Sequence, residues 1–483
     1  MQPTPHTSHG MRDPVPTAAS QRPERRATCV AHLSIQKMKR RQFVAAGGSA
    51  AVLAACGGGG SDSSGSGGVG SVPAAQNRFT QANLVASSAS FQPQILRPQM
   101  VDAWGIAIRP AGAGGHFWVN GGGSSWEFVG DVQASPTPAL QTLGVDPLTQ
   151  VTLAGADSLT DNTSAGKSTG VVYNGAPLTS DNFVPTGQQM PDGNGNSVAM
   201  EGSARFIFVT DSGRINAWTD RRQDTGGTLR INGAAQSMYD GGATGTNLGM
   251  SFFGCAMKTS TWDTLWAVDF GTAPQIRQFD AQWNLVPTVG FANPFVSSAA
   301  IGVASLANPG DFVPYNITAL GARVFVTFAK STVNNATVPP SFLASSEDAM
   351  DADSEKASGF APDRGRLAEF DLNGKLVRVY RDEKHLNAPW GVAIAPASFG
   401  AFGGAVLVGN FGGCGYVTAF DGATGAFFGY LRGPGGTFVS IPGLWGLQFG
   451  NGVSLGDGDA LYFAAGPEGE AAGLFGSLRY TPA

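Results

Sequence analysis

The stretch LNAPWGVAIAPASFGAFGGAVLVGNFG occupies residues 386–412. It contains two apolar runs, Trp390-Gly-Val-Ala-Ile and AVLVGN ending at Asn410, joined by a Gly/Ala-rich connection. Both runs are short and rich in strand-favouring residues, and turn-forming residues flank them. The first run recurs as Trp104-Gly-Ile-Ala-Ile and Trp445-Gly-Leu-Gln-Phe. Looser copies are Thr169-Gly-Val-Val-Tyr, Phe253-Gly-Cys-Ala-Met and Asn316-Ile-Thr-Ala-Leu. The second run recurs with them, ending at Asn120, Asp211, Asp269, Phe328, Asn410 and Ala465. In several copies a third run follows and closes on an aspartate: RINAWTD to Asp220, QIRQFD to Asp280, RLAEFD to Asp371 and YVTAFD to Asp421. A tight turn and a fourth run complete the unit, as in DLNGKLVRVY and DGATGAFFGYL.

Six units of four hairpin-linked strands predict an all-β, six-bladed β-propeller. Spacings of 65, 84, 63, 74 and 55 residues, counted between the phrase glycines and the Ile317 slot of the fourth unit, predict variable loops on a constant core. A solenoid needs a more regular period, and a sandwich does not explain six copies. The run Phe79-Thr-Gln-Ala-Asn-Leu-Val precedes the first unit and has no partner there, while the last unit lacks an outer strand. Pairing the two closes the ring and hides an edge. The domain is therefore expected over residues 79–483.

Ahead of it lies MKRRQFVAAGGSAAVLAAC, residues 38–56. The basic head and apolar middle have the build of an export signal, far short of the ~20 residues a spanning helix needs. Leu53-Ala54-Ala55-Cys56 resembles the lipobox of bacterial lipoproteins, in which the cysteine is lipidated and becomes the new N-terminus. Arg40-Arg41 resembles a twin-arginine signal. Residues 1–37 read as an N-terminal extension upstream of the natural start, 38–55 as the signal peptide, and 56–78 as a Gly/Ser-rich tether. The expected address is the periplasmic side of the outer membrane or the cell surface, with the lipid as membrane partner.

From Cys56 onward the chain holds 22 basic and 33 acidic residues, a formal charge of −11. That balance argues against nucleic acid as a partner. A monomer is expected. Cys255 and Cys414 are the two cysteines left in the domain, and a bridge between them is open in an oxidising compartment.

The propeller units also resemble an uncharacterised family of exported bacterial six-bladed propellers, with NHL-repeat and gluconolactonase-like architecture. The resemblance rests on Asn83-Leu-Val, residues 386–412, FDGATGAFFGYL, IPGLWGLQFGN, ALYFAAGP and GLFGSL. It implies a fold and a location, and no established reaction.

Catalytic patterns are sparse. After Cys56 the only histidines are His116 and His385, read here as incidental. One serine, Ser168 in Gly166-Lys-Ser-Thr-Gly170, has the GxSxG spacing, but no strand-to-helix context surrounds it. SAGKSTG imitates a phosphate loop but has Asp161 where the motif needs glycine. Four residues ending second strands, Asn120, Asp211, Asp269 and Asn410, belong on the mouth face of the channel. Converging oxygens there suit Ca²⁺, which takes about six to eight oxygen ligands. The simpler reading is turn opening, since Asp211, Asp269 and Asn410 each precede a glycine by two positions. The polar insertion 331–363 carries Glu347, Asp348, Asp351, Asp353 and Glu355, and a loop this long is a lid, a calcium-ordered segment or solvated slack. The leading function is a binding module for a small molecule or protein at the mouth. The alternative is a calcium-dependent lactonase or esterase at the central channel, and a quinone-dependent sugar oxidation with a His base is third.

Overall fold

The structure is a computed structural model that describes residues 73–110, 115–156, 166–187, 189–191, 197–199, 202–219, 234–242, 249–296, 310–334, 341–344 and 362–482. The extension 1–37, the signal 38–55, the lipidation site Cys56, most of the tether and the acidic run 347–355 lie outside the described residues.

Six small antiparallel sheets form the six blades. Blade 1 comprises Ile106–Ala107, Phe117–Gly121, Ser124–Gly130 and Leu143–Thr152, from inner to outer strand. Blade 2 comprises Ser168–Tyr173, Phe206–Thr210, Arg214–Trp218 and Gln236–Asp240. Blade 3 comprises Phe252–Met257, Thr264–Asp269, Gln275–Asp280 and Leu285–Val286. Blade 4 comprises Phe312–Leu320, Arg323–Asn334, Gly365–Phe370 and Leu376–Val379. Blade 5 comprises Pro389–Ile394, Val406–Asn410, Val417–Phe420 and Phe427–Tyr430. Blade 6 comprises Leu444–Phe449, Ala460–Ala465, Leu474–Tyr480 and, as its outer strand, the N-terminal Phe79–Ala86.

The ring closes as the sequence predicts. Phe79–Ala86 pairs antiparallel with Leu474–Tyr480, from Phe79↔Tyr480 to Ala86↔Leu474. Ile95–Leu96 then adds a fifth, parallel strand beyond it, which the repeat pattern did not announce. In blade 4 the second strand runs on to pair with Ser341–Ala344, so the insertion begins as a hairpin.

Blade strands are apolar on both faces because each blade is packed between two others. In blade 5, Val406 and Val408 face blade 4, while Leu407 faces blade 6. Separate apolar clusters fill each of the six seams between successive blades. The phrase glycines let inner strands approach at the axis. A Cβ on Gly391 would lie 2.4 Å from the Trp445 carbonyl oxygen, and one on Gly446 would lie 2.4 Å from that of Trp104. In blade 4 the equivalent position is Asn316, one residue before Ile317. It pairs with Thr327 just past a bulge, as Gly254 pairs with Val268 in blade 3. The Asn316 amide turns the slot into a link by donating to the Trp390 carbonyl at 2.8 Å.

Cys255 and Cys414 are both buried free thiols, so the bridge left open by the sequence is not formed. Burial alone pushes the Cys255 thiol far up from its ordinary value. Among the described residues no helix is long and apolar enough to cross a membrane.

Candidate functional site

The residue before each glycine slot points to the axis. These residues are Trp104, Thr169, Phe253, Tyr315, Trp390 and Trp445, five of them aromatic. Their rings meet across the ring of blades. Trp104 lies edge-on to Phe253 of blade 3 at 5.3 Å and to Trp390 of blade 5 at 6.1 Å. Trp445 is sandwiched between Trp104 at 3.6 Å and Phe411 at 3.9 Å, nearly parallel to both. Both faces of Trp445 are therefore covered, and the mouth end of the axis is packed with aromatic side chains. Its indole N–H donates to Asp102 at 3.2 Å, and Asp102 in turn pairs with the Lys167 ammonium at 3.1 Å.

Around this plug the four singled-out residues serve separate partners. Asp211, Asp269 and Asn410 share one role: each accepts a backbone N–H from the segment leading into the inner strand of its own blade. The donors are Lys167 for Asp211, Ser251 for Asp269 at 3.0 Å and Asn387 for Asn410 at 2.8 Å. The turn-opener expectation covers only part of this. Asp269 does accept from Gly271 in its own turn, at 2.9 Å. Asn120 instead reaches into the next blade, donating to the carbonyls of Thr169 at 3.1 Å and Gly170 at 3.0 Å.

Asp269 is fully buried, and burial pushes its carboxyl pKa up. Arg277 opposes that shift through two bonds to Oδ2, at 3.0 and 2.8 Å. With Ser251 and Gly271 on Oδ1, four N–H groups point at this carboxylate, and hydrogens aimed at an oxygen leave no room for a cation there. Asn410 is committed too, donating to the Tyr416 carbonyl at 2.9 Å and Thr418 Oγ1 at 2.8 Å. Asn120, Asp269 and Asn410 are bonded to different partners among the described residues, and this arrangement does not fit a calcium ion shared by the three. Among the described residues no three His, Cys, Asp or Glu side chains gather as a metal-holding group.

Beside Asn410 the mouth face of blade 5 carries a shallow recess, with about 10 Å³ of room for the centres of water-sized spheres. His385 and Asn387 line it from the segment leading into the inner strand. Asn410, Cys414 and Tyr416 line it from the second-to-third connection, and Tyr430 from the outer strand. Among the described residues no Asp, Glu, Lys or Arg contributes to its wall. The Tyr430 hydroxyl and His385 Nδ1 are hydrogen-bonded at 3.0 Å, and the imidazole stacks on Phe427 at 4.0 Å. Phe438 supports both phenols from beneath, 5.1 Å from Tyr416 and 4.6 Å from Tyr430. The result is a cluster of aromatic rings packed against the hydrogen-bonding groups of the recess.

The sequence reading placed Asn410 at the mouth but set aside His385 as incidental and weighed Cys414 only for a bridge. A usable signal existed: RDEKHLN and NFGGCGY fall on mouth-face connections of one blade. His116 is structural, its Nδ1 lying 3.2 Å from the buried Glu127 carboxylate.

No family model matches this chain. Two uncharacterised proteins of Acanthamoeba polyphaga mimivirus are each 30% identical over 216 residues, 45% of this chain and 46% and 49% of theirs. A third uncharacterised protein of the same virus is 26% identical over 246 residues, 51% of this chain and 38% of its own. The chain thus spans about half the length of the curated relatives it matches. These relatives are viral, so the matches lend no support to the bacterial family suggested by the sequence.

Proposed function

We propose that this chain is a lipid-anchored, extracytoplasmic binding module that holds an uncharged, hydrogen-bonding part of its ligand at the mouth face of blade 5. The carrying observation is the recess, where two amides, an imidazole and two phenols stand together with no Asp, Glu, Lys or Arg among the described lining residues. Such walls offer donors and acceptors to hydroxyl or amide groups. They give an ionic group no counter-charge to offset its desolvation. Binding residues on loops over a rigid scaffold are the usual propeller arrangement. The calcium-dependent hydrolase at the axis has less support, because the Asp269 carboxylate and the Asn410 amide oxygen are held by backbone and guanidinium N–H groups.

The test is ligand-observed NMR with uncharged monosaccharides, matched against uronic acids and amino sugars. The uncharged compounds should bind, and Tyr430→Phe should weaken them. Equal binding of the charged analogues would contradict the reading.

The lipobox-like Leu53-Ala54-Ala55-Cys56 supports the anchor. Acyl chains contribute ~0.8 kcal/mol per buried CH₂, and several are needed for durable attachment. Cys56→Ala should therefore release the protein from washed membranes, and a variant that stays with them contradicts the anchor.

A further inference from the structure

The segment that leads from the tether into the propeller does not merely precede it. Asn77 is 6% exposed and lies against the outer edge of blade 5, more than 350 residues away in sequence. Its Nδ2 donates to the Tyr430 carbonyl at 2.9 Å, and its Oδ1 accepts from the Arg432 N–H at 2.8 Å. Two residues on, the Phe79 N–H donates to the Arg432 carbonyl at 2.8 Å. One amide side chain thus grips both sides of Leu431. The residue it holds, Tyr430, carries the phenol that meets His385 in the wall of the recess. Phe438 lies under the same phenol at 4.6 Å, and the Arg432 guanidinium covers Phe438 at 4.2 Å.

We infer that Asn77 is a positioning residue for the blade 5 recess, so that the segment joining tether to domain sets the geometry of the ligand site. The inference rests on the binding reading above and adds regulation to it. Two hydrogen bonds on neighbouring backbone groups fix the height and rotation of the outer strand, and the phenol follows its backbone. Releasing Asn77, by substitution or by processing of the chain before it, frees Tyr430 to leave His385. By linkage, a ligand that needs the Tyr430–His385 arrangement must also tighten the leading segment.

The experiment is cysteine-resolved alkylation of the full chain, read by mass spectrometry, with buried Cys255 as internal control. Asn77→Ala should speed alkylation of Cys414 roughly tenfold, the scale of losing a pair of ordinary hydrogen bonds, and leave Cys255 unchanged. Asn77→Asp keeps the acceptor for Arg432 but loses the donor to Tyr430, so it should give a smaller rise; it also serves if the Ala variant fails to fold. In a Tyr430→Phe background the effect of Asn77→Ala should shrink, because the phenol–imidazole bond is already gone. Equal acceleration at Cys255 and Cys414, or none at Cys414, overturns the inference. The two readings fail separately. Ligand binding unchanged in Asn77→Ala, with Cys414 still protected, removes the clamp and leaves the binding reading intact. Cys414 deprotected in a protein that binds none of the sugars removes the binding reading and leaves the clamp.

Discussion

Blades 3 and 5 carry matching sequence at the mouth, Asp269-Phe-Gly and Asn410-Phe-Gly, yet the first residue is locked in an ion pair and the second lines a recess. In both, the side chain accepts a backbone N–H from the segment before the inner strand. The difference lies eight residues on, at one position of the third strand. In blade 3 that residue is Arg277, whose guanidinium meets the buried carboxylate. In blade 5 it is Thr418, whose short hydroxyl meets the amide and goes no further. A charged partner demands a charge in return, and the pair fills its space. In blade 5 the pair is neutral, and His385, Cys414 and Tyr430 line a recess beside Asn410. The second-strand residue organises the mouth, and the third-strand residue sets whether its partner there is a charged guanidinium or a neutral hydroxyl.

The largest test of that contrast is Arg277→Ala. It strands the Asp269 carboxylate in an apolar seam, where removing one partner of a buried ion pair costs about 3–5 kcal/mol. Urea unfolding should show that loss, against about 1 kcal/mol for Thr418→Ala in blade 5. Equal losses at the two positions would break the comparison.

A smaller effect sharpens it. Converting blade 5 to the blade 3 arrangement with Asn410→Asp and Thr418→Arg should show favourable coupling of about 1–3 kcal/mol in a double-mutant cycle. The carboxylate alone would face the Tyr416 carbonyl, and the guanidinium alone would be unpaired. Additive effects would mean that the two blades do not share this geometry.

The smallest effect lies on the opposite face, where the blades agree. Asp280 and Asp421 open the third-to-fourth turns of blades 3 and 5. Slight burial raises Asp280, but bonds from Asn284 and Gln282 outweigh it and hold its carboxyl below the ordinary value. The Thr424 N–H and hydroxyl do the same for Asp421, joined by the Ala423 N–H. A carboxylate depressed in the folded state contributes stability above its unfolded pKa of about 3.9, and that contribution is lost as pH falls through the lower folded value. Asp280→Asn and Asp421→Asn should therefore each flatten the acid limb of the stability profile slightly and to a similar extent. A marked difference between them would show that the blades diverge on both faces.

The fold was legible because its signal is repeated. Six apolar phrases with a shared glycine slot, and a lone strand at Phe79, leave one closed arrangement. The fourth unit was misplaced by one residue because Asn316 replaces the glycine and bonds to Trp390 instead of merely making room. The site was legible only in part. Asn410 stood out through the repeat, but the recess depends on residues from three connections meeting in space. Nothing in a single strand announces that His385, Cys414 and Tyr430 meet beside it. The aromatic plug was hidden for a related reason. Trp104, Trp390 and Trp445 read as strand residues until closure brings them to one axis.

The most direct measurement is ligand-observed NMR of uncharged monosaccharides on the parent protein and on Thr418→Arg, with folding of the variant checked by its melting transition. The account predicts binding to the parent and none to the folded variant, because the guanidinium occupies and charges the recess. Undiminished binding to Thr418→Arg would place the ligand elsewhere and contradict the proposal that it binds in the blade 5 recess beside Asn410.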